Sequence, residues 1–334
     1  MKISASIYSD KKRPLREVID DLVGHQIEVL HVDCNDDLDV FNDIKQIRTW
    51  CSIPIDLHII TEHPEKYFDL LIENPVEYIT FQYENLKAPL NLPKEITGKK
   101  GLAITTPTDV QVFREFEYMD FILIMATIPG QSGGSFDQYN FSKIRKFRSK
   151  YPRKSIHVDG GVNAEVSFIL RNMGVSLSVS GSYLFSGASI GNSLMNLTQR
   201  EIESAYCVGD FMTPLEEAPH AFIENATTKS ILECVENGKM GFALICGKNK
   251  ELVGLVSSAD IRKALLKKID SSSQIKPADL INKNPIHISE NATVIELLQQ
   301  IKSCTFPIMY LPVIDDSMNA VGIVNFVHLI KGEI

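Results

Sequence analysis

The side chains able to do chemistry in the first 200 residues gather in short apolar runs. Ser6 stands in KISASI, and His31-Val32-Asp33 closes EVLHVD. Asp56-Leu57-His58 sits inside PIDLHII, Asp159 precedes Gly160-Gly161 in SIHVDGG, and Ser180-Gly181-Ser182 ends SLSVSGS. A spacing of two in an extended chain turns both polar side chains of a pair the same way. Two histidines and two aspartates drawn together from three strands make a site for a divalent metal, and imidazole with carboxylate suits zinc, iron, manganese or cobalt. A lone His or Asp at a strand end is equally explained by a bond to backbone; the ensemble at matching strand ends favours the metal. A second chemistry is suggested by glycines in Pro129-Gly130-Gln131-Ser132-Gly133-Gly134, Gly160-Gly161 and Gly181-Ser182. Glycine lets backbone N–H groups approach an anion closely, so three such loops on neighbouring strands point to a phosphate. Taken singly, each pair of glycines needs no more than a turn to explain it.

These residues need elements to bring them together. Strand-like runs recur at 2–7, 28–33, 54–60, 77–82, 99–105, 121–127, 155–160 and 176–181, with amphipathic stretches between them. The first such stretch opens at Pro14 and puts Leu15, Val18, Ile19 and Leu22 on one helical face. Gly24 is placed to end it as a left-handed cap. Eight strand–helix alternations in about 200 residues indicate parallel βα units. Eight strands, and no GxGxxG after the first, favour a closed (β/α)8 TIM barrel of the α/β class over an open doubly wound sheet. In such a barrel chemistry collects at the C-terminal strand ends, where the polar residues fall.

The 334-residue chain is 44% hydrophobic, 23% charged and carries a net charge of −8. That balance offers no broad cationic face to a nucleic acid, and no apolar run approaches the ~20 residues of a membrane span. The N-terminal MKISASIYSDKKRP lacks a signal core, and six cysteines lie scattered without a CxxC pair. Both features indicate a reducing, cytoplasmic setting.

The first ~200 residues resemble the ribulose-phosphate 3-epimerase family. The resemblance runs in order through KISASI, LHVD, DLHIITEHPEKY, YITFQYE, GLAITTPT, MATIPGQSGGSF, VDGGVN and VSGSYLF. It implies metal ligands at His31, Asp33, His58 and Asp159, with Asp33 and Asp159 as the two catalytic acids that remove and return the C3 proton of a ketose phosphate. Substrate contacts are implied at Ser6, His58 and Met125. The phosphate loop is implied at Gly130, Gln131, Ser132, Gly133, Gly160, Gly161, Gly181 and Ser182. The chain departs from the family where Asn35 and Ile60 replace methionines, Asp37 replaces a glycine, and Ser132 and Gly134 replace a glycine and a glutamine. The catalytic set is intact while the sugar-facing wall is altered, which leaves tetrulose, pentulose and hexulose phosphates open.

Past Tyr206 the rhythm changes to an internal repeat. Glu224-Asn225-Ala226-Thr227 returns as Glu290-Asn291-Ala292-Thr293, and Gly254-Leu255-Val256-Ser257 as Gly322-Ile323-Val324-Asn325. Each copy reads as a helix, two strands joined by a turn, and a closing helix, a pair suited to burying a shared face. The region resembles a tandem α+β pair of CBS domains, most like those attached to arabinose-5-phosphate isomerases. The domains expected are therefore a barrel over 1–202 and CBS domains over 206–268 and 276–334. The resemblance implies contacts from Ser257 and Asp260 to the ribose of an adenosine nucleotide or nucleotide-sugar, with Asn325 and His328 replacing them in the second copy. A pair that only joins subunits into a homo-oligomer is the alternative.

The leading expectation is thus a metal-dependent isomerase, a ketose-phosphate 3-epimerase with a regulatory or dimerising CBS pair. The attached module suggests, by analogy, surface-sugar supply more than the pentose-phosphate pathway. The rival is a barrel without turnover, sensing a sugar phosphate through the CBS pair; retention of two acids around a metal argues against it. A decarboxylase or aldol-type synthase of related fold places a lysine where the second strand here reads HVDCND.

Overall fold

The computed structural model describes residues 1–127, 133–198, 205–269, 274–304 and 308–326, which divide into two compact units at about residue 202. In the first unit, eight parallel strands close into a barrel in sequence order. They are β1 (Lys2–Ser6), β2 (Val29–Asn35), β3 (Ile55–Ile60), β4 (Tyr78–Gln82), β5 (Lys99–Thr105), β6 (Phe121–Met125), β7 (Ser155–Asp159) and β8 (Leu177–Ser180). Helices α1 (Leu15–Gly24), α2 (Val40–Trp50), α3 (Phe68–Glu73), α4 (Tyr139–Lys150), α5 (Ala164–Asn172), α6 (Ser182–Ser186) and α7 (Ile190–Thr198) follow strands one, two, three, six, seven and eight. The expected TIM barrel is present.

Two local expectations are corrected. The connections after β4 and β5 hold only 3-10 turns, Tyr83–Asn85 and Val110–Phe116, in place of an α-helix. Gly24 is still helical. The left-handed residue is Gln26, at φ +55°, in a cap where Gln26 N–H donates to Val23 O and Ile27 N–H to Leu22 O. Burial of both Leu22 and Ile27 draws the chain on through that extra turn, so the apolar contact sets the stop, not the glycine.

Register sorts the barrel's interior. Ser6 pairs with His31, His31 with Asp56, Asp33 with His58, His58 with Thr80, and Met125 with Asp159. Paired residues share a face, so Ser6, His31, Asp33, His58, Gln82, Met125 and Asp159 all point inward toward the C-terminal ends. Strands five and six line the interior with Ala103, Leu123 and Met125. Lower down, Gly101 leaves the space that the Phe121 ring fills, and that ring stacks on His157 at 4.0 Å.

The second unit contains two sheets. One has the order β10 (His220–Phe222), β11 (Phe242–Cys246), β12 (Leu252–Ser257). The other runs β13 (Ile288–Ser289), β14 (Tyr310–Ile314), β15 (Ala320–Asn325), β9 (Thr213–Pro214). Around them lie α8 (Val208–Phe211), α9 (Thr228–Gly238), α10 (Ser258–Lys268), α11 (Pro277–Leu280) and α12 (Val294–Ser303). The repeated threonines have the same job: Thr227 caps α9 by accepting from Ser230 N–H, and Thr293 caps α12 by accepting from Glu296 N–H. The segment ahead of the first repeat, β9, adds to the sheet of the second, with Thr213 opposite Ile323. The second closing helix lies outside the described residues. Among the described residues no helix is long and apolar enough to cross a membrane, and no cysteine is joined in a disulfide.

Candidate active site

Four side chains meet at the barrel mouth. One ligand atom each from His31, Asp33, His58 and Asp159 lies within 4.8 Å of all the others. His31 Nε2 is 3.3 Å from Asp33 Oδ1 and 3.7 Å from Asp159 Oδ2, and His58 Nδ1 is 3.5 Å from the same Asp33 oxygen. Both rings are fully buried.

The far side of each ring decides what the near side offers. His31 Nδ1 is 2.9 Å from Asp56 Oδ2, and His58 Nε2 is 2.8 Å from Gln82 Oε1. Both partners can accept, so each ring can give a proton outward and leave the nitrogen facing the aspartates free to take a cation in place of a proton. His58 Nδ1 makes no hydrogen bond among the described residues. With those protons outward, two ring nitrogens and two carboxylates face one point, a donor set that a divalent cation fits.

With no cation the same charges act on one another. Burial disfavours the imidazolium of His31, yet Asp33 and Asp56 on either side hold its pKa well above the usual histidine range. Burial also works against the Asp33 carboxylate, but His31 and His58 overcome it and bring its pKa down. Asp159 goes the other way: burial, with Asp33 also raising it, pushes it up to about 6. Neighbouring acids driven apart in this way are the arrangement that lets one hold a proton while the other is ionised.

Of the other residues singled out in the sequence, Ser6 accepts a bond from Ser9 Oγ at 3.1 Å, next to Gly181, where a Cβ would strike the Ser9 hydroxyl. Met125 is buried beside Asp159. Gly160 and Gly161 have φ of +107° and +66°, and a Cβ on either would run into Thr127 or the Phe136 backbone, so the turn itself demands glycine. Gly133 and Ser182 are described, whereas Gly130, Gln131 and Ser132 lie outside the described residues. Asp56, Gln82, Glu84 and Ser9 received no role from the sequence. The signal for Asp56 was present, two residues before His58 on the same face; a glutamine ending a strand carries no comparable signal.

In the second unit, Ser257 and Asp260 form the capping box of α10. Ser257 Oγ accepts from Asp260 N–H and donates to Asp260 Oδ2, which also accepts from Ser257 N–H. Both line a cleft of about 400 Å³ with Lys263, Asn282 and Tyr310. Asn325 ends β15, and His328 lies outside the described residues.

Comparison with known proteins bears on both units. Residues 278–332 match the model of the CBS domain. A CBS-pair protein of Arabidopsis thaliana, CBSX2, is similar at 23% identity and a TM-score of 0.31, covering 38% of this chain and 94% of that one. The ribulose-phosphate 3-epimerase of Eremothecium gossypii is 34% identical over 137 residues, 40% of this chain and 57% of its own length, so less than two thirds of that relative is spanned. That of Aquifex aeolicus is 28% identical over 190 residues, 50% of this chain and 86% of its own. Residues 2–185, more than half the chain and the whole of the eight-stranded barrel, match the model of one family, and the chain belongs to it: the ribulose-phosphate 3-epimerase family.

Proposed function

We propose that the barrel is a ketose-phosphate 3-epimerase acting on ribulose 5-phosphate and xylulose 5-phosphate or a related sugar phosphate. The observation that carries this reading is the pair of carboxylates, Asp33 from β2 and Asp159 from β7, that reach the same ring nitrogen from separate strands. Inverting a carbon next to a carbonyl needs a proton taken from one face and returned to the other. Asp33 takes the proton from one face and Asp159, on the separate strand β7, gives one to the other. In the reverse direction the roles exchange. A divalent cation held by His31, Asp33, His58 and Asp159 supplies positive charge against the negative charge developing at the sugar oxygens. Ser6 holds a sugar oxygen, and Met125 walls the apolar side. The loops at 130–134, 160–161 and 181–182 hold the phosphate, which the adjacency of β6, β7 and β8 supports.

The second unit reads as CBS domains over 206–268 and 276–334, following a barrel over 1–202. Its ligand is an adenosine nucleotide or nucleotide-sugar with its ribose on Ser257 and Asp260, a reading supported by the cleft of about 400 Å³ that both residues line together with the cationic Lys263. The pair also serves to join subunits into a homo-oligomer. Six scattered cysteines, none of them in a disulfide among the described residues, support a cytoplasmic location.

Solvent deuterium wash-in, followed by NMR on metal-loaded protein with four- to six-carbon ketose phosphates, tests the reaction. Exchange at C3 with appearance of the epimer is expected for at least one sugar. Binding without exchange on every member would instead make the barrel a sensor.

A further inference from the structure

Behind His58 runs a chain of hydrogen bonds that leaves the cluster and ends on two threonines. Gln82, almost fully buried at the end of β4, gives its Oε1 to His58 at 2.8 Å and its Nε2 to Glu84 Oε2 at 2.5 Å. The other oxygen of Glu84, Oε1, accepts from Thr105 N–H at 2.8 Å, from Thr105 Oγ1 at 2.7 Å and from Thr108 Oγ1. A carboxylate can only accept, so Glu84 permits one orientation of the Gln82 amide: NH₂ toward Glu84, oxygen toward His58. That oxygen in turn admits one tautomer of the neutral His58 ring, with the proton on Nε2 and Nδ1 left for a cation on the Asp33 side.

We infer that Gln82, clamped by Glu84, is the positioning residue that sets the His58 tautomer and so makes Nδ1 available as a metal ligand. The inference rests on reading the His31, Asp33, His58 and Asp159 cluster as a metal site. It assigns work to two residues outside the four clustered side chains. It also separates the two histidines, since His31 is set by a carboxylate directly and His58 by an amide whose direction is imposed from one residue further out.

The chain makes an unusual substitution informative. In Glu84→Gln, the backbone N–H of Thr105 keeps the carbonyl oxygen of the new amide on its own side, which puts NH₂ against Gln82. Gln82 then turns its oxygen toward that NH₂ and its own NH₂ toward His58, favouring the other tautomer, with a proton on Nδ1. Exchanging the pair, in Gln82→Glu with Glu84→Gln, restores an acceptor facing His58 and a donor facing the carboxylate at 82.

The test uses the full chain labelled with ¹⁵N-histidine. The metal-free protein has eight histidine signals to resolve, and long-range ¹H–¹⁵N spectra report which ring nitrogen of His58 is protonated. Co²⁺ titration by visible absorption reports affinity. Wild type is expected to show the Nε2 proton. Glu84→Gln is expected to shift it to Nδ1 and weaken Co²⁺ binding about 10- to 100-fold, the usual cost of losing an outer partner of a ligand. The exchanged pair is expected to recover both, a non-additive rescue that general loosening of the loop would not give. A wild-type proton on Nδ1 would overturn the inference, as would equal losses in the single and exchanged variants. If the tautomers move as expected but no variant binds Co²⁺, the positioning role stands and the metal reading falls.

Discussion

Asp56 and Asp33 lie on opposite sides of the His31 ring, 2.9 Å from Nδ1 and 3.3 Å from Nε2. The two carboxylates stand on adjacent strands, and the register that pairs His31 with Asp56 also pairs Asp33 with His58. One strand pairing therefore supplies three of the clustered side chains and the partner that orients one of them.

Removing that partner is expected to weaken the proposed metal site while leaving its four side chains in place. Asp56→Ala leaves Nδ1 of His31 without an acceptor in a fully buried position, and divalent-metal affinity should fall by about 10- to 100-fold. Asp56→Asn, which keeps an oxygen to accept with, should fall less. Competition against a chromophoric chelator gives both values; equal affinity in Asp56→Ala and wild type would remove Asp56 from the site.

The two-acid reading separates exchange from inversion. In Asp159→Asn, epimer formation should drop by at least about 10²-fold, the scale of a positioned acid–base group. Asp33 is left to abstract and return a proton on its own face. Deuterium should then still enter C3 of one epimer while the other does not form. Full turnover in Asp159→Asn would show that a second acid is not needed.

His157 should mark the acid side of the stability curve. It is buried in the barrel against Phe121 and Tyr78, its Nδ1 has no hydrogen-bond partner among the described residues, and burial pulls its pKa down to about 4. The unfolded chain, near 6.5, binds the proton first. Stability is therefore complete above about pH 6.5 and declines as pH falls toward 4, by about 3 kcal/mol from this residue. Denaturant unfolding of wild type and His157→Leu across that range should show a shallower decline in the variant. Parallel curves would mean that His157 is protonated in the folded barrel as readily as in the unfolded chain.

Ser257 and Asp260 face two demands at once, since the pair already caps α10. Ser257→Ala should cost about 1 kcal/mol of stability through the lost cap, whatever binds in the cleft. If the cleft holds a nucleotide, Ser257→Ala with Asp260→Ala should also weaken adenosine nucleotide binding at least about tenfold by calorimetry. Lost stability with unchanged nucleotide affinity would leave the pair a helix cap alone.

The barrel and its His/Asp cluster were readable from the sequence because period-two alternation in β2 and β3 places His31, Asp33 and His58 without any knowledge of packing. The repeat threonines, Thr227 and Thr293, were also visible, although their capping role was not. The network behind His58 was hidden, since Gln82 and Glu84 are ordinary residues whose meaning depends on what a neighbouring strand puts beside them. The connections after β4 and β5 were misread because their apolar residues, Val110, Phe113 and Phe116 among them, satisfy the barrel wall from 3-10 turns as well as from a helix. The same competition moved the α1 cap from Gly24 to Gln26. Ser257 and Asp260 suggested a ligand from type and spacing alone, and that spacing is also the capping box.

The pairing of β9 with β15 sets a timetable for synthesis. Thr213 emerges from the ribosome about 110 residues before Ile323, its partner in the sheet. At ordinary elongation rates that wait is on the order of 10 s. The first repeat can fold in that interval with β10, β11 and β12, while Thr213-Pro214 stays unclaimed. A shortened chain that begins after Pro214 would leave the β15 edge with open N–H and C=O groups, a template for pairing with another molecule. Soluble expression of the second repeat thus depends on a dipeptide that precedes the first.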